Sequence, residues 1–347
     1  MKLSQFDYYL PDEQIPLKPR NDRSQDRLLV LNKKTGKIEH KKFIDIVEYF
    51  GEGDRFVFNN TKIFPAVLKG KKEKTEADIE VFLLRELIPQ NNVWDALVNP
   101  ARKIRIGNKL YFENDLVAEV IDNTTSRGRT IRFLYNGTSE ELKKMLRSMG
   151  NVPLPPFIQR DFLEEDLKYA DSPFAKVEGS VAAPTAGSHF DKILIKKLEL
   201  QGVSFSEVTL HAGIGNYSRI EVEDLVKHKP DSEKVIITNK TAADINKTLD
   251  NQKRVCAIGT TVVKALETPV TTLDRLDPFD GWTVLLIFPP FRIRIANCMI
   301  SNFQMPMTPM LMTVCAFGGY KNVMHAYEVA VQEGYQMGPF GDAMLII

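Results

Sequence analysis

AVLKGK (residues 66–71), IEVFLLREL (79–87), VWDALV (93–98), RKIRIG (102–107), KLYF (109–112), LVAEVI (116–121) and TIRFLY (130–135) follow one another along the chain. Turn-forming residues separate several of them: PQNN (89–92), GN (107–108), END (113–115) and RG (127–128). The runs are short and rich in β-branched or aromatic residues, and several alternate between apolar and polar, as half-buried strands do. No helical periodicity interrupts residues 63–138. Many short strands with regular turns predict a small all-β module, a barrel or sandwich.

Outside this stretch the texture changes. Upstream, RLLVL (27–31) reads as a strand, KTGK (34–37) as a turn, residues 43–50 as a short helix, and residues 55–58 as a strand ending in Asn59, Asn60 and Thr61. Downstream, residues 139–149 read as a helix and PLPP (153–156) as a stiff connector, because proline fixes φ. Helices are then expected at 188–200, 238–249, 260–267 and 322–334, and strands at 203–210, 254–258 and 283–288. Such alternation predicts a layered α/β sandwich. The simplest organisation is a discontinuous α/β domain, residues 1–63 plus 152–347, carrying an inserted all-β barrel domain, residues 64–151.

At 347 residues the chain exceeds one ordinary core. Lys and Arg total 46 against 45 Asp and Glu, so no global field draws it to nucleic acid or membrane; a nucleic-acid partner would have to use a local patch. No run is long and apolar enough to span a bilayer, and residues 1–12 lack the pattern of a signal peptide. The expectation is a cytoplasmic protein with no membrane partner. Cys256, Cys298 and Cys315 form no paired motif and the five histidines are scattered, which predicts buried thiols and no metal.

Several constellations could carry chemistry, and each has an ordinary structural reading beside it. In AAPTAGSHF (182–190) small residues allow a backbone to approach a ligand. Ser188 with Asp191 spells a capping box, so the loop would feed a helix N-terminus, where anions gather. A tight loop and a plain cap, with His189 packed, is the alternative. In VTLHAGIG (208–215) a strand ends at His211 and a small-residue loop, where open α/β sheets bind ligands. Ser218 stands where a third glycine would complete a dinucleotide fingerprint. VCAIGTT (255–261) places Gly259, Thr260 and Thr261 at a strand-to-helix turn, suited to a carboxylate, a hydroxyl or simple capping. SNFQMP (301–306) sets Asn302 and Gln304 in an apolar stretch, where they need partners. Asp342 follows later. Basic clusters at 69–74 and 102–105, with Lys62, Lys103 and Arg129, are either solvated faces or phosphate contacts.

Taken in order, these segments resemble one family closely: the S-adenosylmethionine:tRNA ribosyltransferase-isomerase family of queuosine biosynthesis. The similarity runs nearly end to end, through RLLVL, GDRFVFNNTKIFPAVLKGKK, ALVNPARKIRIG, GNVPLPPFIQR, VAAPTAGSHFD, VTLHAGIG, GTTVVKALE, GWTVLLIFPPF, SNFQMP, HAYEVAV and GDAMLI. The resemblance implies an α/β sandwich carrying an inserted β-barrel. It implies S-adenosylmethionine as co-substrate without a metal, tRNA engaged at its anticodon region, and no obligate protein partner; a monomer is the default. The implied reaction moves the ribosyl group of S-adenosylmethionine onto a 7-aminomethyl-7-deazaguanine in tRNA. It rearranges to the epoxycyclopentanediol of epoxyqueuosine, and adenine and methionine leave.

Under that resemblance His189, His211 and Asp342 are the candidate catalytic residues. A sulfonium acidifies its C5′ hydrogen, and a histidine suits its removal. His189 is the first expectation for this base and His211 the second; Asp342 would orient a histidine or bind a ribose hydroxyl. Candidate substrate-binding residues are Asn59, Asn60, Thr61, Pro184, Thr185, Gly187, Phe190, Gly213, Gly259, Thr260, Thr261, Asn302 and Phe303. Thr260 and Thr261 or the Ser188 helix start would take the methionyl carboxylate, and Phe190 or Phe303 the sulfonium. Lys62, Lys71, Lys72, Arg102 and Lys103 are candidate tRNA contacts. Some motifs depart from the family pattern: YADSPFA (169–175) for YQTVYA, GSHF (187–190) for GLHF, GNYSRI (215–220) for GTFxPV, HKPDSE (228–233) for HxMHxE, NFQMP (302–306) for NFHLP and YQMGPFGDAM (335–344) for YRFFSYGDAM. Two of these remove histidines. A paralogue using another acceptor and a non-catalytic nucleotide- or RNA-binding homologue stand as alternatives.

Overall fold

The computed structural model describes residues 1–347 except 125–127, 156, 159, 161–162, 164–165, 167–170, 214 and 216–219. Arg127 of the expected RG turn, Pro156 of the connector, Tyr169 and Ala170 of the YADSPFA motif, and Ser218 with most of GNYSRI lie outside the described residues. The chain divides into two compact units: residues 1–62 with 155–161 and 168–347, and residues 63–154 with 162–167.

The smaller unit is a closed barrel. Its strands are Val67–Lys72, Asp78–Ile88, Val93–Asn99, Lys109–Tyr111, Val117–Asn123 and Gly128–Phe133, each antiparallel to its neighbours. Closure removes the free edges that would otherwise invite pairing with other chains. Successive side chains point in and out, so Leu68, Ile79, Val81, Ala96, Val98, Leu110, Val120, Ile131 and Phe133 are buried. Helix α1 (Ser139–Met149) starts with a reciprocal cap: Thr138 accepts from the Glu141 amide, and the Glu141 carboxylate accepts from the Thr138 amide. Arg129, expected in a basic surface cluster, is instead buried. Its guanidinium donates to the carbonyls of Ala101, Ile104 and Gly128, so it pins the Ala101–Lys103 turn and is not a phosphate contact.

The larger unit is built on one sheet with nine strands among the described residues, numbered along the chain: β1 (Arg27–Leu31), β2 (Ile38–Lys42), β3 (Arg55–Asn59), β4 (Ser204–His211), β5 (Glu233–Ile237), β6 (Val255–Ile258), β7 (Phe279–Thr283), β8 (Cys298–Asn302) and β9 (Ala343–Ile346). Their order is β7-β5-β4-β3-β6-β8-β9-β1-β2. Strands β4, β3, β6 and β8 are parallel, β9 runs back along β8, and β1 is parallel to β9. This register has one consequence for function. The carboxyl ends of four parallel strands and the amino ends of β9 and β1 lie along a single edge.

Both faces of the sheet are covered. Phe56, Phe58, Ile258, Ile300 and Leu345 face a core closed by helix α2 (Lys192–Leu200) and the 3-10 turn Phe43–Glu48. Val57, Leu210, Ala257, Met299 and Met344 face the other, closed by α3 (Asn239–Asp250), α4 (Thr260–Glu267), α5 (Pro309–Gly318) and α6 (Tyr320–Gln332). The architecture is the expected α/β sandwich with an inserted β-barrel.

Three local expectations are corrected. The helix expected over 188–200 begins at Lys192, capped by Asp191, whose carboxylate accepts the Leu194 amide at 2.6 Å. Residues Thr185–His189 form a 3-10 turn, and Ser188 is tied to Thr185 O and Arg23. The strand expected over 283–288 is Phe279–Thr283; Thr283 Oγ1 accepts the Leu285 amide at 3.2 Å, a local bond that competes with the ladder. Helix α5 is apolar on nearly every side, so it shows no stripe to read.

Phe56 lies among Phe50, Phe190 and Phe205, with ring centroids 4.5, 5.9 and 5.7 Å away. Phe56→Ala is expected to destabilise the fold by about 3–5 kcal/mol. A lower denaturant midpoint at unchanged slope would show it.

Candidate functional site

A narrow cleft of about 40 Å³ opens at this strand edge. Its walls are Ala183, Pro184, Thr185 and Ala186; Gly259, Thr260 and Thr261; Ser301, Asn302 and Gln304; and Gly338 with Pro339. Phe157, Met305 and Met310 add apolar surface. Gly259 holds φ +100, a conformation L side chains rarely adopt, and joins β6 directly to α4. It supplies no side-chain cap, so the first amides of α4 are left to solvent or to a ligand.

Behind the cleft lies a buried charged network. Asp26 has no exposed side-chain surface and receives Arg20 Nη1 at 2.6 Å and Arg23 Nε at 3.0 Å. His189 Nδ1 lies 3.1 Å from the same carboxylate. His189 Nε2 faces two donors, Arg23 Nη2 at 3.2 Å and Asn302 Nδ2 at 3.1 Å. Its ring stacks on Phe43 with centroids 4.9 Å apart. Burial, reinforced by the Arg23 charge, lowers the imidazole to about 4 despite Asp26. The ring is therefore neutral, with Nδ1 donating and Nε2 accepting. Burial works to raise Asp26, but the His189 hydrogen bond and the arginine charges outweigh it and hold the carboxyl below its ordinary value. Asp342 is also buried; it accepts from Arg20 at 2.7 Å and from the amides of Arg27 and Gln336.

His211 is placed differently. It ends β4, and its Nδ1 lies 2.7 Å from Thr61 Oγ1. Burial, with the Lys234 charge, lowers it to about 4, so it too is neutral. Thr61 in turn leads to the cleft: its amide donates to Asn59 Oδ1, and Asn59 Nδ2 reaches Thr261 Oγ1 at 3.4 Å. The Gly213 amide donates to buried Glu233, whose other oxygen pairs with Lys264 on α4 at 2.6 Å.

The structure thus brings Pro184, Thr185, Gly259, Thr260, Thr261 and Asn302 together on the cleft, with Asn59, Thr61 and His211 linked behind Thr261. Asn60 is engaged with Glu207 and Thr209, and Gly213 with Glu233. Gly187 is buried, closest to Ser172 and Phe174. Phe190 packs against Phe43, Phe56 and Phe174, and Phe303 against Tyr327 and Tyr335; both rings are buried among other aromatics and offer no face to a sulfonium. Ser188 does not start a helix and so cannot present one to a carboxylate. Lys62 lies near Asp171 and Lys71 pairs with Asp78, Lys72 is half-buried, and Arg102 and Lys103 stand exposed on their turn. Sequence reasoning missed Arg20, Arg23 and Asp26. The one available signal was the charge pattern RNDRSQD (20–26) directly before β1. Among the described residues no group of His, Cys, Asp or Glu is arranged to hold a metal ion.

The family described as queuosine biosynthesis protein matches residues 3–346. A Bacteroides fragilis protein named S-adenosylmethionine:tRNA ribosyltransferase-isomerase is 55% identical over 350 residues, covering 100% of this chain and 99% of its own. A Cytophaga hutchinsonii protein of the same name is 54% identical and covers both chains fully. The crystal structure of an S-adenosylmethionine tRNA ribosyltransferase from Thermotoga maritima superimposes with a TM-score of 0.57 at 32% identity, over 99% of this chain and 100% of that one.

The two depressed histidines make stability depend on pH. Each has an ordinary value of 6.5 and a folded value of about 4, so between these the unfolded chain binds protons that the folded chain does not. Stability should therefore be full above pH 6.5 and fall on acidification, by up to about 1.4 kcal/mol per pH unit per histidine. Thermal melts from pH 7.5 down to 5 read the effect. His189→Gln, whose amide oxygen can still accept from Arg23 and Asn302, should flatten it; an unchanged slope would show that His189 titrates normally.

Proposed function

The chain belongs to the queuosine biosynthesis protein family, and from that premise we propose that it transfers and isomerises the ribosyl moiety of S-adenosylmethionine onto 7-aminomethyl-7-deazaguanine in the anticodon region of tRNA. The product is epoxyqueuosine, and adenine and methionine are released. The observation that supports this reading most is the cleft itself: hydroxyl, amide and helix-start groups gathered where the parallel strands β6 and β8 end.

The residues divide the work as follows. The first amides of α4, at Thr260 and Thr261, hold the methionyl carboxylate. His211 serves as the general base for the acidic C5′ hydrogen. It is neutral at physiological pH, and the Thr61 hydroxyl orients it. Thr61 Oγ1 also lies 3.5 Å from Val177 O; giving its proton to that carbonyl lets it accept Nδ1–H, which makes Nε2, beside Gly179, the nitrogen with a lone pair. His189 has no lone pair to spare, because Arg23 and Asn302 occupy Nε2, so the base role passes from His189 to His211. Asp342 acts as an anchor for the start of β1.

Incubation with S-adenosylmethionine and tRNA bearing the aminomethyl-deazaguanine, followed by adenine release, tests this. Release should require that tRNA, and His211→Gln should cut kcat about 10²–10⁴-fold with the fold intact. Release with another acceptor, or without one, would overturn the assigned acceptor.

Lys71, Lys72, Arg102 and Lys103 supply phosphate contacts from the barrel. Lys71→Glu with Arg102→Glu should weaken tRNA binding and reduce the slope of log affinity against log salt by about one per lost phosphate contact. Titrations at two or more salt concentrations read both, and unchanged binding would retire this surface.

A further inference from the structure

A chain of three hydrogen bonds runs from the buried charges to the cleft, and each link fixes the direction of the next. Asp26 can only accept, so His189 Nδ1 donates to it at 3.1 Å. The Arg23 carbonyl, 3.4 Å from the same nitrogen, is also an acceptor. Nε2 is then the accepting nitrogen, and Arg23 Nη2 at 3.2 Å, a permanent donor, keeps it unprotonated. Asn302 must turn its amide NH2 towards Nε2, an orientation that the carbonyls of Gly341 and Asp342 on the same side reinforce. Its Oδ1 therefore points away, to Thr185 Oγ1 at 3.2 Å. Between those two oxygens only the hydroxyl can donate. The Thr185 proton is thereby committed inward, and the half-buried hydroxyl shows the cleft only lone pairs.

We infer that Thr185 Oγ1 is the acceptor that reads an N–H or O–H donor of the adenosyl group, and that Asp26 and His189, acting through Asn302, fix its polarity. Thr185 touches the ligand; Asp26, His189 and Asn302 are positioning residues. A serine or threonine hydroxyl without such a chain rotates freely and accepts or donates as the ligand requires, so it discriminates weakly. A committed hydroxyl rejects a group that offers only an acceptor, because two lone pairs would then face each other unpaired. The donor is the adenine 6-amino group or a ribose hydroxyl. The inference rests on the functional reading above for the identity of the ligand, and on the hydrogen-bond chain alone for the polarity.

Calorimetric binding of S-adenosylmethionine tests it, alongside analogues lacking the 6-amino group, the 2′-hydroxyl or the 3′-hydroxyl. Thr185→Val should weaken binding of the parent compound roughly tenfold, and Thr185→Ser should restore it. One analogue should lose a similar factor on the wild type and nothing further on Thr185→Val, which identifies the donor. His189→Gln should keep this discrimination, since its amide oxygen still accepts from Asn302; His189→Leu should weaken it, because only the Gly341 and Asp342 carbonyls, at 3.2 and 3.4 Å, then hold the Asn302 amide. Retained discrimination in a folded His189→Leu would remove the positioning role. The Thr185 arms stand whether or not that variant folds. Wild-type binding by Thr185→Val, or equal discrimination of every analogue by both proteins, would overturn the assignment while leaving the functional reading intact. Failure of the wild type to bind any adenosyl compound would overturn that reading and this inference with it.

Discussion

Asp26 is a carboxylate held entirely out of water, and a buried charge persists only where partners meet it completely. Arg20, Arg23 and His189 do so, and the rest of the site follows from their need to be there. Arg23, drawn in by Asp26, reaches the carbonyls of Pro339 and Gly341. Arg20 bridges to Asp342, which collects the amides of Arg27 and Gln336. The start of β1, the start of β9 and the end of β8 are thereby tied at one point. One wall of the cleft is thus set by charge and hydrogen bonding, where apolar packing alone would leave it adjustable.

This arrangement explains why the first histidine that a chemist would choose is not available for chemistry. His189 lies between a carboxylate and a guanidinium, stacked on Phe43, with both nitrogens engaged. Its neutrality is what allows it to connect an anion on one side to an amide on the other. His211 has a shifted equilibrium for a similar reason, burial, but sits at the end of β4 beside a single hydroxyl. Two histidines with almost the same depressed value therefore do different work, and only the partners distinguish them. Dipoles fixed before a ligand arrives cost nothing to reorganise when it does.

Much of the fold is legible in the sequence because its signals are local. The barrel announces itself by short runs between turn residues, and Gly259 marks the β6-to-α4 turn. The less legible parts are those whose meaning is not local. Strand β9 is four residues, too short to show a period, and β2 is a polar edge strand. Helix α5 is buried all round and so carries no stripe. In the site, Pro184, Thr185, Thr260, Thr261 and Asn302 are recognisable because small or polar residues stand where a strand or apolar run ends. Arg20, Arg23 and Asp26 read as an ordinary solvated loop. Their charges gain meaning only once the register sets Leu28 beside Ala343, and that pairing spans almost the whole chain.

The same pairing sets an order of assembly during synthesis. Strand β9 lies between β8 and β1, inside the sheet. The barrel unit is almost contiguous in sequence and can fold as it leaves the ribosome. The sheet cannot: β1 has to wait for Ala343–Ile346, far later in the chain, before its inner edge is filled. Until then the apolar β1 and β8 edges stay unpaired and the carboxylate of Asp26 lacks the wall that encloses it. The sheet is incomplete, and its edges are exposed to mispairing, until that segment has been made.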